Sequence, residues 1–162
     1  MDLAEATARA ADLKDERLLA ELRREVADDL EEAVRSADYR ERATAFRAIG
    51  QLRFAQKTEL LRRGLEDDSP AARGSALLSI ELLSRDHPRL VNANRALLHT
   101  LANNDPNEAV RRLAVLSLKN GSPAADTITL LGFLADSDEE SKELRAAAAS
   151  VRDQLKRKAS AR

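Results

Sequence analysis

The sequence predicts an all-α fold, and three observations carry that prediction. The helix-favouring residues Ala, Leu, Arg and Glu dominate the 162-residue chain, with 30 alanines and 21 arginines, while β-branched residues are few. Apolar residues recur at three- and four-residue spacing, as in Leu60, Leu61, Leu65 and again in Leu97, Leu98, Leu101, which is the stripe of a helix and not the alternation of a strand. The prolines Pro70, Pro88, Pro106 and Pro123 stand 18, 18 and 17 residues apart. A proline at the first helical position has no amide hydrogen to waste and a φ suited to the helix. Such even punctuation predicts short helices joined by short turns.

The elements follow in order. A short helix is expected near Asp2 to Leu13, and then four hairpins: 17–35 with 38–52, 54–66 with 69–84, 88–103 with 106–119, and 123–135 with 138–157. Ser69, Asp105 and Ser122 each precede a proline and Asp86 precedes His87-Pro88; all are residue types whose side chains cap helix starts. The second helices share a pattern of Arg42, Ala45, Ile49; Arg73, Ala76, Ile80; Arg111, Ala114, Leu118; and Arg145, Ala148, with Arg152 in place of the last apolar residue. Six residues before these arginines stand Ser36, Asp67, Asp105 and Glu139, and the arginines are 31, 38 and 34 residues apart. The recurring alanines let neighbouring helices approach closely, and Gly121 reads as a helix C-terminal stop. No such unit buries its apolar face alone, so the units must stack, with the charged "ADDLEEA" (27–33) and the C-terminal helix as polar caps.

The pattern of Asp, then Val-Arg six residues on, then Ala and Leu three and seven residues after the arginine, resembles the second helix of a HEAT repeat. "DPNEAVRRLAVLSL" (105–118) is the best copy and "DDSPAARGSALLSI" (67–80) the next, and the likeness spans about Leu18 to Leu155. The units are shorter than the usual 40 to 47 residues, as in compact bacterial versions. A tetratricopeptide array has a similar period, but its aromatic-and-glycine signature is missing here. The resemblance implies a right-handed α-solenoid of about four HEAT-like hairpins behind an N-terminal capping helix. It places a single repeat domain at 1–157 and a short basic tail at 158–162.

Composition narrows the function. Twenty-seven basic residues against 28 acidic ones leave a net charge of −1, without the basic excess of a dedicated nucleic-acid or anionic-membrane binder. The absence of cysteine excludes thiolate chemistry, disulfides and cysteine-ligated metals. Neither a signal peptide nor a spanning run is present, so a cytoplasmic protein is expected. His87 and His99 have no second ligand at metal spacing, the five glycines form no phosphate loop, and no serine sits in a nucleophile elbow. Carboxylate pairs such as Glu139/Glu140 read as solvated helix faces. The chain is therefore expected to be no enzyme and to hold no metal or cofactor.

Two sets of residues remain. Arg42, Asp67, Arg73, Asp105, Arg111, Glu139 and Arg145 are expected to form a structural ladder of charge-assisted bonds. With the repeated alanines turned inward, a rotation of 100° per residue turns others outward. Arg47, Leu78, Arg112, Leu113, Leu116 and Lys119 then form an apolar strip rimmed by cations, suited to an amphipathic partner segment. In HEAT arrays the second helices line the concave face, which commonly binds proteins. The expected function is accordingly a non-catalytic interaction module, a scaffold or adaptor, acting as a monomer or weak homodimer. The alternative is nucleic-acid binding through a basic patch and the basic end Arg152, Lys156, Arg157, Lys158 and Arg162, although no tryptophan is present for base stacking.

Overall fold

The computed structural model describes residues 1–161, and among them ten α-helices, one 3-10 turn and no strand. The chain divides into two compact units at Leu83/Ser84.

The first unit contains α1 (Leu3–Asp12), α2 (Glu16–Ala33), α3 (Tyr39–Gln51), the 3-10 turn Ala55–Lys57, α4 (Glu59–Leu65) and all of α5 (Pro70–Ser84) but its last residue. The starts of α1, α2 and α3 are capped by Asp2, Asp15 and Asp38, whose carboxylates accept from the amides of Glu5, Arg17 and Arg40. Each cap satisfies one of the donors that a helix start leaves open. Helix α1 lies against α2 and α3, and α3 against α4. The α2 stripe Leu19, Leu22, Val26, Leu30 is fully or almost fully buried, together with Ala45, Phe46 and Ile49 of α3, Leu61 and Leu65 of α4, and Ala76, Leu77 and Ile80 of α5. Each buried large aliphatic side chain contributes about 1.5–3 kcal/mol of transfer free energy, so this seam holds the unit together.

Close helix approach is set by small residues. A Cβ on Gly50 would stand 2.6 Å from Ser79 Oγ and 2.8 Å from Ser79 Cα, and one on Gly64 would stand 2.7 Å from the Ala76 methyl. Ser79 uses the proximity. Its hydroxyl donates to the Phe46 carbonyl at 2.5 Å and accepts from the Gly50 amide at 3.0 Å, so α5 bonds the same two groups that close a turn of α3. Helix α3 then ends in a Schellman turn: the Phe54 amide reaches the Ile49 carbonyl, the Arg53 amide reaches Gly50, and Arg53 takes a φ of 50°.

The second unit contains α6 (Arg89–Ala93), α7 (Arg95–Asn104), α8 (Glu108–Leu118), α9 (Ala125–Asp136) and α10 (Lys142–Ser160). Helix α10 packs on α9 and α8, and α7 on α8 and α9. Ala114 and Ala148 are completely buried, as Ala45 and Ala76 are in the first unit.

Several sequence expectations change. The helix expected over 88–103 is broken at Asn94, whose side-chain amide donates to the Leu90 carbonyl at 2.8 Å. This local bond competes with continuous helix, as asparagine often does. Of the four prolines only Pro70 opens a helix. Pro88 is an N-cap, while Pro106 and Pro123 precede the caps Asn107 and Ala124. Gly121 is not a left-handed stop, since no glycine has positive φ among the described residues. It is there for space: a Cβ would stand 2.5 Å from Val91 Cγ1. Gly50 is buried against Ser79. Lys158 to Ser160, read as tail, continue α10, and Arg162 lies outside the described residues.

Candidate functional site

The recurring arginines have one geometry in common. Each donates to backbone carbonyls at the end of its hairpin's first helix or in the turn that follows. Arg42 reaches the carbonyls of Ser36 and Ala37, Arg73 those of Asp67 and Asp68, Arg111 that of Ala102, and Arg145 that of Ala135. These include carbonyls that helix ends leave without partners.

Arg42 and Arg111 also grip a carboxylate in the following hairpin. Arg42 holds Asp67 through Nε at 2.8 Å and a terminal nitrogen at 2.9 Å, and touches Asp68 at 2.9 Å. Arg111 holds both oxygens of Glu140 at 2.7 Å. Burial alone would raise the Asp67 pKa, but the Arg42 guanidinium and the Ser69 amide outweigh it and hold the carboxyl below its usual range. The hydrogen bonds from Arg111 hold Glu140 low in the same way. Asp105 is buried and accepts from the Asn107 amide at 2.9 Å, closing a turn. Glu139 does not join this set. It is exposed, Arg145 instead stands 3.8 Å from Asp138, and Glu140 takes the place beside Arg111. The reason is reach: the fork meets an acid 25 residues on in one case and 29 in the other, so no fixed offset in the sequence names the partner.

The outward residues fall in separate units. Arg47 and Leu78 belong to the first unit, and Leu78 is 37% exposed. Arg112, Leu113 and Leu116 lie on α8, with Lys119 as its C-cap, in the second. Arg112 is exposed and the other three are half-buried.

Three of the depressions among the described residues lie on the first unit. One of about 660 Å³ opens beside the Arg42–Asp67 pair; its walls are charged, and Arg42 and Arg62 are paired with Asp67 and Glu66. The other two, about 450 and 400 Å³, share Ala4 and Thr44 and follow the seam of α1 and α3. The sequence reading missed this seam because alanine and threonine line its middle and carry no chemical signal.

His87 is exposed. His99 Nε2 meets Thr127 Oγ1 at 2.8 Å, and the same hydroxyl accepts from Arg95 at 2.7 Å. Burial lowers the His99 pKa, with Asp126 opposing and Arg95 adding to the shift. Among the described residues there is no group of three or more His, Cys, Asp and Glu placed to hold a metal ion, and no helix long and apolar enough to cross a membrane.

A family model described as the vitellogenin TPR domain matches residues 4–151. The chain belongs to this family. The vitellogenin TPR match runs from α1 into α10 and establishes a helical-repeat class, in agreement with the all-helical architecture; it does not extend to the HEAT class. No curated protein and no solved structure gives a match.

The basic end Arg152–Arg162 lies beyond the span matched by the vitellogenin TPR model. Two of its cations are engaged. Arg152 Nε donates to Asp153 at 3.0 Å, and the Lys158 ammonium donates to the carbonyls of Lys119 at 3.0 Å and Gly121 at 2.8 Å. The Lys158 charge thus sits at the C-terminus of α8, where the helix dipole favours it. Lys156 and Arg157 stay exposed.

Proposed function

We propose that the chain is a non-catalytic protein-interaction module, a scaffold or adaptor that holds a segment of a partner protein on the outward faces of its second helices. In this reading the hairpins are HEAT-like members of a right-handed solenoid, and the protein works in the cytoplasm as a monomer or weak homodimer. One observation carries the proposal: on α8, Leu113 and Leu116 are open to solvent in part and framed by exposed Arg112 and by Lys119. Apolar surface with a cationic rim is what an amphipathic segment with acidic flanks needs. The four arginines most conspicuous in the sequence are meanwhile occupied with turn carbonyls, and Arg42 and Arg111 with carboxylates as well.

The test is Leu78→Asp with Leu116→Asp. Far-UV circular dichroism is expected to stay unchanged while affinity capture of the partner from the native cell is lost. Unchanged capture by a folded double variant refutes the proposal. Unfolding assigns both leucines to the core and refutes it as well.

A further inference from the structure

The seam of α1 and α3 has a floor that offers almost nothing polar. Ala4 and Ala8 of α1 face Ala43 and Thr44 of α3, and Ser75 of α5 completes the wall. The hydroxyls of Thr7 and Thr44 donate back to the carbonyls of Leu3 and Arg40, at 2.6 and 2.9 Å, so neither has a hydrogen left for a ligand. Side chains this small let another backbone come close, as Gly50 does for α5 within the same unit.

The two ends of the groove carry opposite charge. At one end Asp2, Asp29, Glu32 and Glu41 gather beside a single cation, Arg40. Arg40 is already spent on Asp38, through bonds of 3.2 and 3.1 Å. Asp2 caps α1 and Glu41 accepts from Ser36. The side chains of Asp29 and Glu32 make no hydrogen bond or ion pair among the described residues. At the other end stands Arg47, which is partly buried and whose guanidinium likewise makes no hydrogen bond or ion pair among the described residues. Burial lowers its pKa and Glu81 only partly offsets this, the condition of a cation short of a counter-charge. Glu41 and Arg47 are six residues apart on one helix, roughly 9 Å at 1.5 Å per residue.

We infer that this groove takes an amphipathic helix of a partner protein, one with small apolar residues on its buried face, a lysine or arginine at one end of that face and an aspartate or glutamate about two turns along. The basic residue lies by Asp29 and Glu32 and the acidic one by Arg47, so charge complementarity sets both the register and the choice of partner. This inference rests on the interaction-module reading and gives it a partner chemistry.

The probes are three fluorescein-labelled alanine–leucine helical peptides with charged residues seven positions apart: Lys with Glu, Lys with Lys, and Glu with Glu. Fluorescence polarisation with the full chain is expected to give the Lys/Glu peptide at least a fivefold lower Kd than either like-charged peptide. Arg47→Glu is expected to transfer the preference to Lys/Lys. Ala43→Trp, which fills the floor, is expected to abolish binding with the circular dichroism unchanged. Equal affinities for the three peptides, no binding to the wild-type chain, or an R47E chain with the original preference overturns the inference. An A43W chain that still captures the native partner lost by the L78D/L116D chain overturns the groove and leaves the adaptor reading standing.

Discussion

Replacing Arg111 by alanine removes three contacts at once. The bidentate pair with Glu140, two bonds of 2.7 Å, disappears, and so does the 3.0 Å bond to the Ala102 carbonyl in the last turn of α7. The two side chains are only 15% and 18% exposed, so water replaces the lost bonds poorly. A hydrogen bond to a charged group contributes about 1.5–3 kcal/mol net and a neutral one about 1 kcal/mol. Breaking a fully buried pair costs about 3–5 kcal/mol. The residual solvent contact of Glu140 puts Arg111→Ala at the lower end, about 3 kcal/mol. For a cooperative melt of the whole chain that is a fall in Tm of about 6 to 12 °C, and about twice that if the second unit melts by itself. Differential scanning calorimetry of R111A, E140A and the double variant gives both the loss and the coupling. Glu139→Ala is the control, expected within about 0.5 kcal/mol of wild type because that residue is exposed. A Tm fall below about 2 °C for R111A, or a coupling under about 0.5 kcal/mol, would refute the structural role assigned to this arginine.

Three further outcomes follow from the same geometry. Arg53→Gly relieves a non-glycine residue at φ 50° and is expected to raise stability by about 0.5–1 kcal/mol in urea titrations; a destabilised variant would show that the Arg53 side chain matters more than its backbone. Gly50→Ala places a methyl 2.6 Å from Ser79 Oγ and 2.8 Å from its Cα, and the overpacking is expected to cost about 1–3 kcal/mol, read as a lower denaturation midpoint; a midpoint equal to wild type would mean that α3 and α5 part freely. Because Glu140 is held below its usual 4.5 by Arg111, the unfolded chain binds more protons in that range. The pair's contribution is complete above pH 4.5 and fades as pH falls through the lower folded value. The acid slope of stability should therefore be shallower in Glu140→Gln, and identical slopes between pH 3 and 5 would contradict the pairing.

Much of the fold was legible from residues close together in the chain. The spacing of Leu98 and Leu101 announces the buried face of α7, because helical period acts within four residues. The alanines at the centre of each second helix were legible for the same reason. Asn94 shows the limit: one side-chain bond to Leu90 was enough to split a helix whose apolar stripe ran on without a mark. At the candidate site less was readable. Leu78, the α8 leucines and Arg47 announce themselves on an outward face, whereas Asp29 and Glu32 look like any charged residues until α1 is laid against α3.

Helix type and the inward alanine positions are thus properties of the amino-acid order, since each is decided by neighbours one or two turns away. Packing alone decided which carboxylates Arg42 and Arg111 grip, whether Gly121 serves a backbone angle or a crowded neighbour, and that small residues from α1, α3 and α5 meet in a groove with oppositely charged ends. Those outcomes depend on groups that lie far apart in sequence and on distances of a few ångströms between helix surfaces, and a one-dimensional pattern does not encode such distances.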